Sequence, residues 1–169
     1  MVIRTAKIAD ASQIAQVHVE TWCTAYRGLI SDAVLEAHTL ERRTLFWQRH
    51  LAEKQVTVFV AEDDGLVVGF CDLIPTRDKD ADPRAVAEIV AIYVLPGYWR
   101  KGAGRALCDR ALTEARRQGY TSITLWALAS NSEARRFYEA MGFSLDGTVK
   151  TERASDGSIL HEVRFRKVI

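Results

Sequence analysis

The sequence predicts a single mixed α/β domain spanning residues 1–169, and three observations lead there. Segments of period two sit in hairpin-like pairs towards both ends of the chain. Segments of helical period lie before and between them. The 169 residues, 48% apolar and 27% charged, suffice for the core of one ordinary globular domain and leave little room for a second.

Taken in order, Val2 to Lys7 reads as a first strand. Asp10 offers a helix N-cap and Gln13 completes a capping box. Ile14, Val17, Thr21 and Ala25 recur at helical spacing to about Tyr26, and Gly28 breaks the helix. A second helical region follows Ser31, with Leu45, Phe46, Arg49 and Leu51 marking its later part. Val56, Val58 and Val60 alternate with Thr57, Phe59 and Ala61, as a strand requires. Asp63-Asp64-Gly65 supplies a turn, and Leu66 to Ile74 returns. A polar, aspartate-rich loop from Arg77 to Arg84 precedes a strand from Ala85 to Leu95, stopped by Pro96-Gly97. Ala103 to Gln118 is helical, with Ala106, Leu107, Ala111 and Ala115 inward, and Gly119 ends it. Thr121 to Leu128 is a strand. Ser130 and Glu133 form a second capping box, opening a helix that stops at Gly142. Two strands joined near Asp156-Gly157 finish the chain.

A net charge of +1 and a pI of about 7.8 argue against a nucleic-acid partner. No polybasic anchor, signal-like stretch or run of ~20 apolar residues suggests a membrane, so the expected location is cytoplasmic. Cys23, Cys71 and Cys108 are odd in number and far apart, which suits neither a disulfide framework nor a zinc site. They read as small buried hydrophobes, and no metal is expected. His18, His38, His50 and His161 form no spaced pair, so surface or packing roles are expected of them.

The chemistry concentrates where the strand ending at Leu95 meets the helix starting near Gly102. The connector is Trp99-Arg100-Lys101-Gly102-Ala103-Gly104. A helix start presents unpaired amides and the positive end of the dipole, and glycines let an anion approach them. With Arg100, Lys101 and Arg105 nearby, this is a plausible diphosphate cradle. A dinucleotide-binding turn would want a third glycine where Leu107 stands. A P-loop would want Gly-Lys-Ser/Thr. A plain glycine turn with solvated charges remains the bland alternative.

Ala87-Glu88-Ile89-Val90-Ala91-Ile92-Tyr93-Val94 precedes this connector. One helix and one strand later comes Asn131-x-x-Ala134-x-x-Phe137-Tyr138-Glu139-x-x-Gly142-Phe143. The arrangement closely resembles the GNAT superfamily of N-acetyltransferases, in their bacterial stand-alone form. The strong resemblance runs from about Glu88 to Phe143. A weaker one includes Ile3-Arg4-x-Ala6 and Trp22-x-x-Ala25-Tyr26. The family's coenzyme A signature, Gln/Arg-x-x-Gly-x-Gly/Ala, falls on Trp99-x-x-Gly102-x-Gly104, with Trp99 a departure at its first position.

The resemblance implies a central mixed, mostly antiparallel sheet of about seven strands, flanked by helices, with a V-shaped cofactor gap. It implies transfer of an acetyl group from acetyl-coenzyme A to a primary amine, small molecule or peptide, by direct attack. Cys108, inside a helix with no histidine beside it in sequence, is a poor nucleophile for a covalent route. A longer acyl chain, or a non-catalytic acyl-coenzyme A sensor, are the alternatives. A homodimer is compatible with the resemblance.

The implied cofactor contacts are Ile92, Tyr93, Val94, Arg100, Lys101, Gly102, Ala103, Gly104, Arg105 and Asn131. The Ile92 N–H would face the thioester oxygen. Tyr138 would be the acid for the departing thiolate. Glu88 would act as base through water, sharing a strand face with Ile92 if no bulge intervenes. Trp22 and Tyr26 would line the acceptor pocket. Each has a structural alternative: an ion pair with a loop arginine for Glu88, core packing for Tyr138 and Trp22, helix capping for Asn131.

Overall fold

The computed structural model describes residues 1–169. Seven strands form one sheet: β1 (Val2–Thr5), β2 (Thr57–Asp63), β3 (Leu66–Pro75), β4 (Val86–Val94), β5 (Ser122–Leu128), β6 (Ser144–Arg153) and β7 (Ile159–Val168). Their order across it is β1-β2-β3-β4-β5-β7-β6. All pairs are antiparallel except β4 with β5. Five helices flank the sheet: α1 (Ala11–Tyr26), α2 (Asp32–Glu36), α3 (Leu40–His50), α4 (Ala103–Arg117) and α5 (Ser132–Ala140). None is long and apolar enough to cross a membrane.

The helices cover both faces, which explains why the central strands carry few polar side chains. On one face α4 packs Leu107, Cys108, Ala111, Leu112 and Ala115 against Phe59, Cys71, Leu73, Ala87, Ile89 and Ile123. On the other, Ile14 and Val17 of α1 and Trp47 of α3 meet Val58, Val60, Val67 and Phe70.

β4 has two features that shape everything downstream. It pairs with β5 only through Val86, Ala87 and Glu88, opposite Ser122, Ile123 and Thr124. Past that point the two strands separate into the V that the resemblance implies. β4 also carries a bulge against β3: Ala91 lies opposite Asp72 and Ile89 opposite Leu73, leaving Val90 as the extra residue. Ala87 and Ile89 face α4, and beyond the bulge so do Ile92 and Val94, while Ala91 and Tyr93 face α1 and α3. Glu88, flanked by Ala87 and Ile89, therefore points to the α1 and α3 face. The expected common face for Glu88 and Ile92 does not exist.

Both capping boxes read from the sequence are corrected. Asp10 makes no side-chain cap on α1. Its carboxylate instead takes two hydrogen bonds from Arg4 and one from the Lys7 N–H. Gln13 reaches across to accept from the Val67 N–H at 2.9 Å. In α5 the cap is Asn131, whose Oδ1 accepts from the Ala134 N–H at 3.1 Å. Glu133 pairs with Arg100 instead.

Candidate active site

The mouth of the V opens into a cleft of about 600 Å³ lined by β4, the β4–α4 connector, α4, α5 and the end of α1. The connector is wound tightly. Arg100 has φ 59° and Gly102 φ 92°, and Ala103 opens α4. The first intrahelical bond runs from the Ala106 N–H to the Gly102 carbonyl. The amides of Ala103, Gly104 and Arg105 therefore remain free, at the positive end of the helix dipole. A Cβ on Gly104 would sit 3.4 Å from Phe137 and 3.9 Å from Val94. The missing side chain is what keeps this corner open. A diphosphate fits such a cradle, because it asks for converging N–H groups and close backbone approach.

The edge of β4 supplies the next set of groups. Leu95 N–H donates to the Val68 carbonyl, which makes Val94–Gly69 a pair whose own N–H and C=O groups point away from β3. By alternation the backbone groups of Ile92 and Val94 face the gap, and those of Tyr93 face β3. Tyr93 was expected to offer backbone contacts to the cofactor; it instead contributes its side chain from the other face. The Val94 carbonyl is already taken twice, by the Thr21 hydroxyl at 3.1 Å and the Trp99 indole N–H at 2.5 Å. Trp99 thus fastens the connector to the end of β4.

α5 presents Ala134, Phe137, Tyr138 and Met141 to the cleft, as their spacing predicts. The Tyr138 ring packs among Phe137, Phe143 and Phe165, with centroids 5.4–6.2 Å apart. Burial pushes its phenol well above the usual value, with Tyr26 and the thiols of Cys71 and Cys108 adding to the rise. Tyr26 lies against the Tyr93 phenol and the Asn131 side chain, and burial raises it too.

Of the residues singled out in the sequence, the structure brings Tyr26, Ile92, Tyr93, Val94, Arg100, Gly102, Gly104, Arg105, Asn131 and Tyr138 together around this cleft. Four stand apart from its lining. Ala103 is fully buried. Lys101 rests over the Tyr98 ring at 5.4 Å. Trp22 packs between Tyr26 and His38. Glu88 is 2% exposed and held by Arg77, which donates from its backbone N–H, Nε and Nη2. The ion-pair alternative is therefore the one observed. Thr21, Phe137 and Arg136 line the cleft without having been assigned a role there; Phe137 and Thr21 were legible only as members of the α5 and α1 stripes.

Glu88 consequently yields a structural prediction. Glu88→Gln should leave the shape of the pH–rate profile unchanged and lower thermal stability, because the fork from Arg77 loses its charged acceptor. A hydrogen bond to a charged group is worth roughly 1.5–3 kcal/mol. A turnover defect concentrated at low pH, measured with cofactor saturating, would instead restore Glu88 as a base.

Comparison with known proteins agrees with the geometry. Residues 18–143 match the acetyltransferase (GNAT) family. The uncharacterized N-acetyltransferase YuaI of Bacillus subtilis is 32% identical over 139 residues, covering 82% of this chain and 77% of that protein. Among solved structures, PaiA N-acetyltransferase from Thermoplasma acidophilum in complex with coenzyme A aligns with TM-score 0.75 and 22% identity over all of both chains. YncA, a putative acetyltransferase from Salmonella typhimurium with its cofactor acetyl-CoA, aligns with TM-score 0.73 and 22% identity, covering 99% of this chain and 93% of that one. With a family match over residues 18–143 and a relative 32% identical over most of both chains, the chain belongs to the GNAT family of N-acetyltransferases.

Proposed function

We propose that the protein transfers an acetyl group from acetyl-coenzyme A to a primary amine by direct attack in this cleft. The observation that carries the reading is the meeting of three features at one cavity: the start of α4 with its free amides, the gap-facing backbone of Ile92, and Tyr138 in the lining. When bound, acetyl-coenzyme A supplies an activated thioester.

The chain's own groups divide the work. Ala103, Gly104 and Arg105 amides hold the diphosphate, with Arg100 and Arg105 adding charge. Arg100 is borrowed from Glu133, its exposed partner at 3.3 Å. The Ile92 N–H and C=O and the Val94 N–H remain open to the pantetheine arm, since the Val94 carbonyl is already engaged. The Ile92 N–H is placed to meet negative charge on the thioester oxygen, a contribution commonly worth about 10²–10³ in rate. Tyr138 donates its O–H towards the leaving sulfur. Asp78 is engaged by Trp126 and Arg164, and Glu88 by Arg77, so neither is given the part of base in this reading.

The test is thiol release from acetyl-coenzyme A across a panel of primary amines. Acceptor-dependent release is expected. Tight coenzyme A binding with no release for any amine would overturn the reading in favour of a sensor. Release only from longer acyl thioesters would overturn the acetyl assignment.

A further inference from the structure

β6 closes one end of the sheet as a ten-residue edge, whereas β1 closes the other with four residues. No residue of β6 is buried, and Val149 is 72% exposed. The strand contains no proline. A bare edge of this length is a template for another strand unless something blocks it.

The pairing with β7 fixes which backbone groups of β6 are free. The Ala154 N–H, just past the strand, donates to the Ser158 carbonyl, so Ala154 turns its backbone towards β7. The His161 carbonyl, opposite Thr151, is taken by the Ala129 N–H on its far side. By alternation Lys150 and Glu152 bond to β7, and the N–H and C=O groups of Val149, Thr151 and Arg153 face away from it. An incoming strand meets this odd-numbered set.

The side chains decide which strand fits. Lys150 and Glu152 lie opposite Glu162 and Leu160, on the side where Leu160 packs with Ile30 and with Val34 of α2. Lys150 reaches Glu162 at 3.2 Å, and Glu152 has no ion pair within the chain. Consider a second copy of β6, antiparallel about a two-fold axis at Thr151. Thr151 then meets the partner's Thr151, and Val149 meets the partner's Arg153. Lys150 meets the partner's Glu152, and symmetry makes that contact twice. Charge runs minus, plus, minus across the seam, from Glu162 through Lys150 to the partner's Glu152. The smallest slip that keeps the outward groups paired is two residues. It sets Lys150 on the partner's Lys150, or Glu152 on the partner's Glu152. The charges that deter a foreign strand therefore admit this one in a single register.

We propose that the protein forms a two-fold dimer through β6, which joins two seven-stranded sheets edge to edge. Val149, Thr151 and Arg153 of each copy supply about six backbone hydrogen bonds across the axis. The seam is short for a specific interface, so the expected Kd is on the order of 10–100 µM.

Sedimentation at concentrations on both sides of that value is the test, and wild type should pass from monomer to dimer. Glu152→Lys turns both cross-strand pairs into like charges and removes no ion pair within the chain. It should weaken the dimer by about 10–100-fold. Lys150→Glu should weaken it as much, with a melting curve to show that loss of the bond to Glu162 leaves the chain folded. An equimolar mixture of the two variants restores opposite charges along the whole seam and should associate about as tightly as wild type. Amide hydrogen exchange locates the contact. Protection of Val149, Thr151 and Arg153 should rise with concentration, while Lys150 and Glu152 stay protected throughout. A wild type that remains monomeric over this range overturns the proposal. So does a dimer that tolerates Glu152→Lys, or a mixture of the two folded variants that stays monomeric. Concentration-dependent protection that appears elsewhere and spares these three amides overturns it as well.

Discussion

Gly104→Leu is expected to weaken coenzyme A binding by about 10²–10⁴-fold while the chain still folds. Gly104 faces the cleft at the start of α4, where a Cβ already meets Phe137 at 3.4 Å. An isobutyl group has to go past that ring into the space the diphosphate needs. Losing access to about two charge-assisted amide bonds, at roughly 1.5–3 kcal/mol each, gives the stated range. Gly104→Ala is the control. Its added methyl makes only ordinary contact, so affinity should fall by less than about tenfold. Calorimetry reads both, with melting curves to show that the variants remain folded. Unchanged affinity in Gly104→Leu would remove the diphosphate from the α4 terminus.

Tyr138→Phe should lower turnover by about 10²-fold and leave coenzyme A affinity nearly intact. General acid work spans about 10²–10⁴ in rate, and the environment of this phenol argues for the lower end. Burial has raised it above the usual value of about 10, so it gives up its proton reluctantly. Its contribution is mainly a hydrogen bond to charge developing on sulfur in a dry site. The raised value has a second consequence. A group required in its protonated form causes an alkaline loss of activity as pH passes its pKa. Here that loss moves upward, so kcat should hold or rise from neutrality to about pH 10 as more of the amine is deprotonated. A fully active Tyr138→Phe, measured where chemistry limits turnover, would leave Tyr138 as packing. A wild-type alkaline limb centred near 9 would contradict the raised phenol.

The helices of the site were legible because each shows one inward stripe. α5 places Ala134, Phe137, Tyr138 and Met141 as their spacing dictates, and α4 does the same for Leu107, Ala111 and Ala115, with Cys108 in the core where Ala106 was expected. The cradle could be read because glycine and an interrupted strand are local signals. The bulge at Val90 could not. From Ala85 to Leu95 the strand is apolar on both faces apart from Glu88, so no alternation exists to reveal an extra residue. The capping boxes failed for a different reason. Asp10 and Gln13 have the right spacing, but Arg4 and the Val67 amide offer them better partners through the folded sheet.

The single extra residue at Val90 also bears on how such an enzyme can change its substrate. Beyond the bulge, Ile92 and Val94 serve the cofactor side through their backbone and the α4 side through their side chains, while Ala91 and Tyr93 look the other way. One short stretch thus carries two nearly independent alphabets. Exchanges at positions 91 and 93 would remodel the acceptor's surroundings and leave the main-chain groups that read coenzyme A where they are. Removing Val90 would merge the two alphabets, and every later substitution would then alter both partners of the reaction at once.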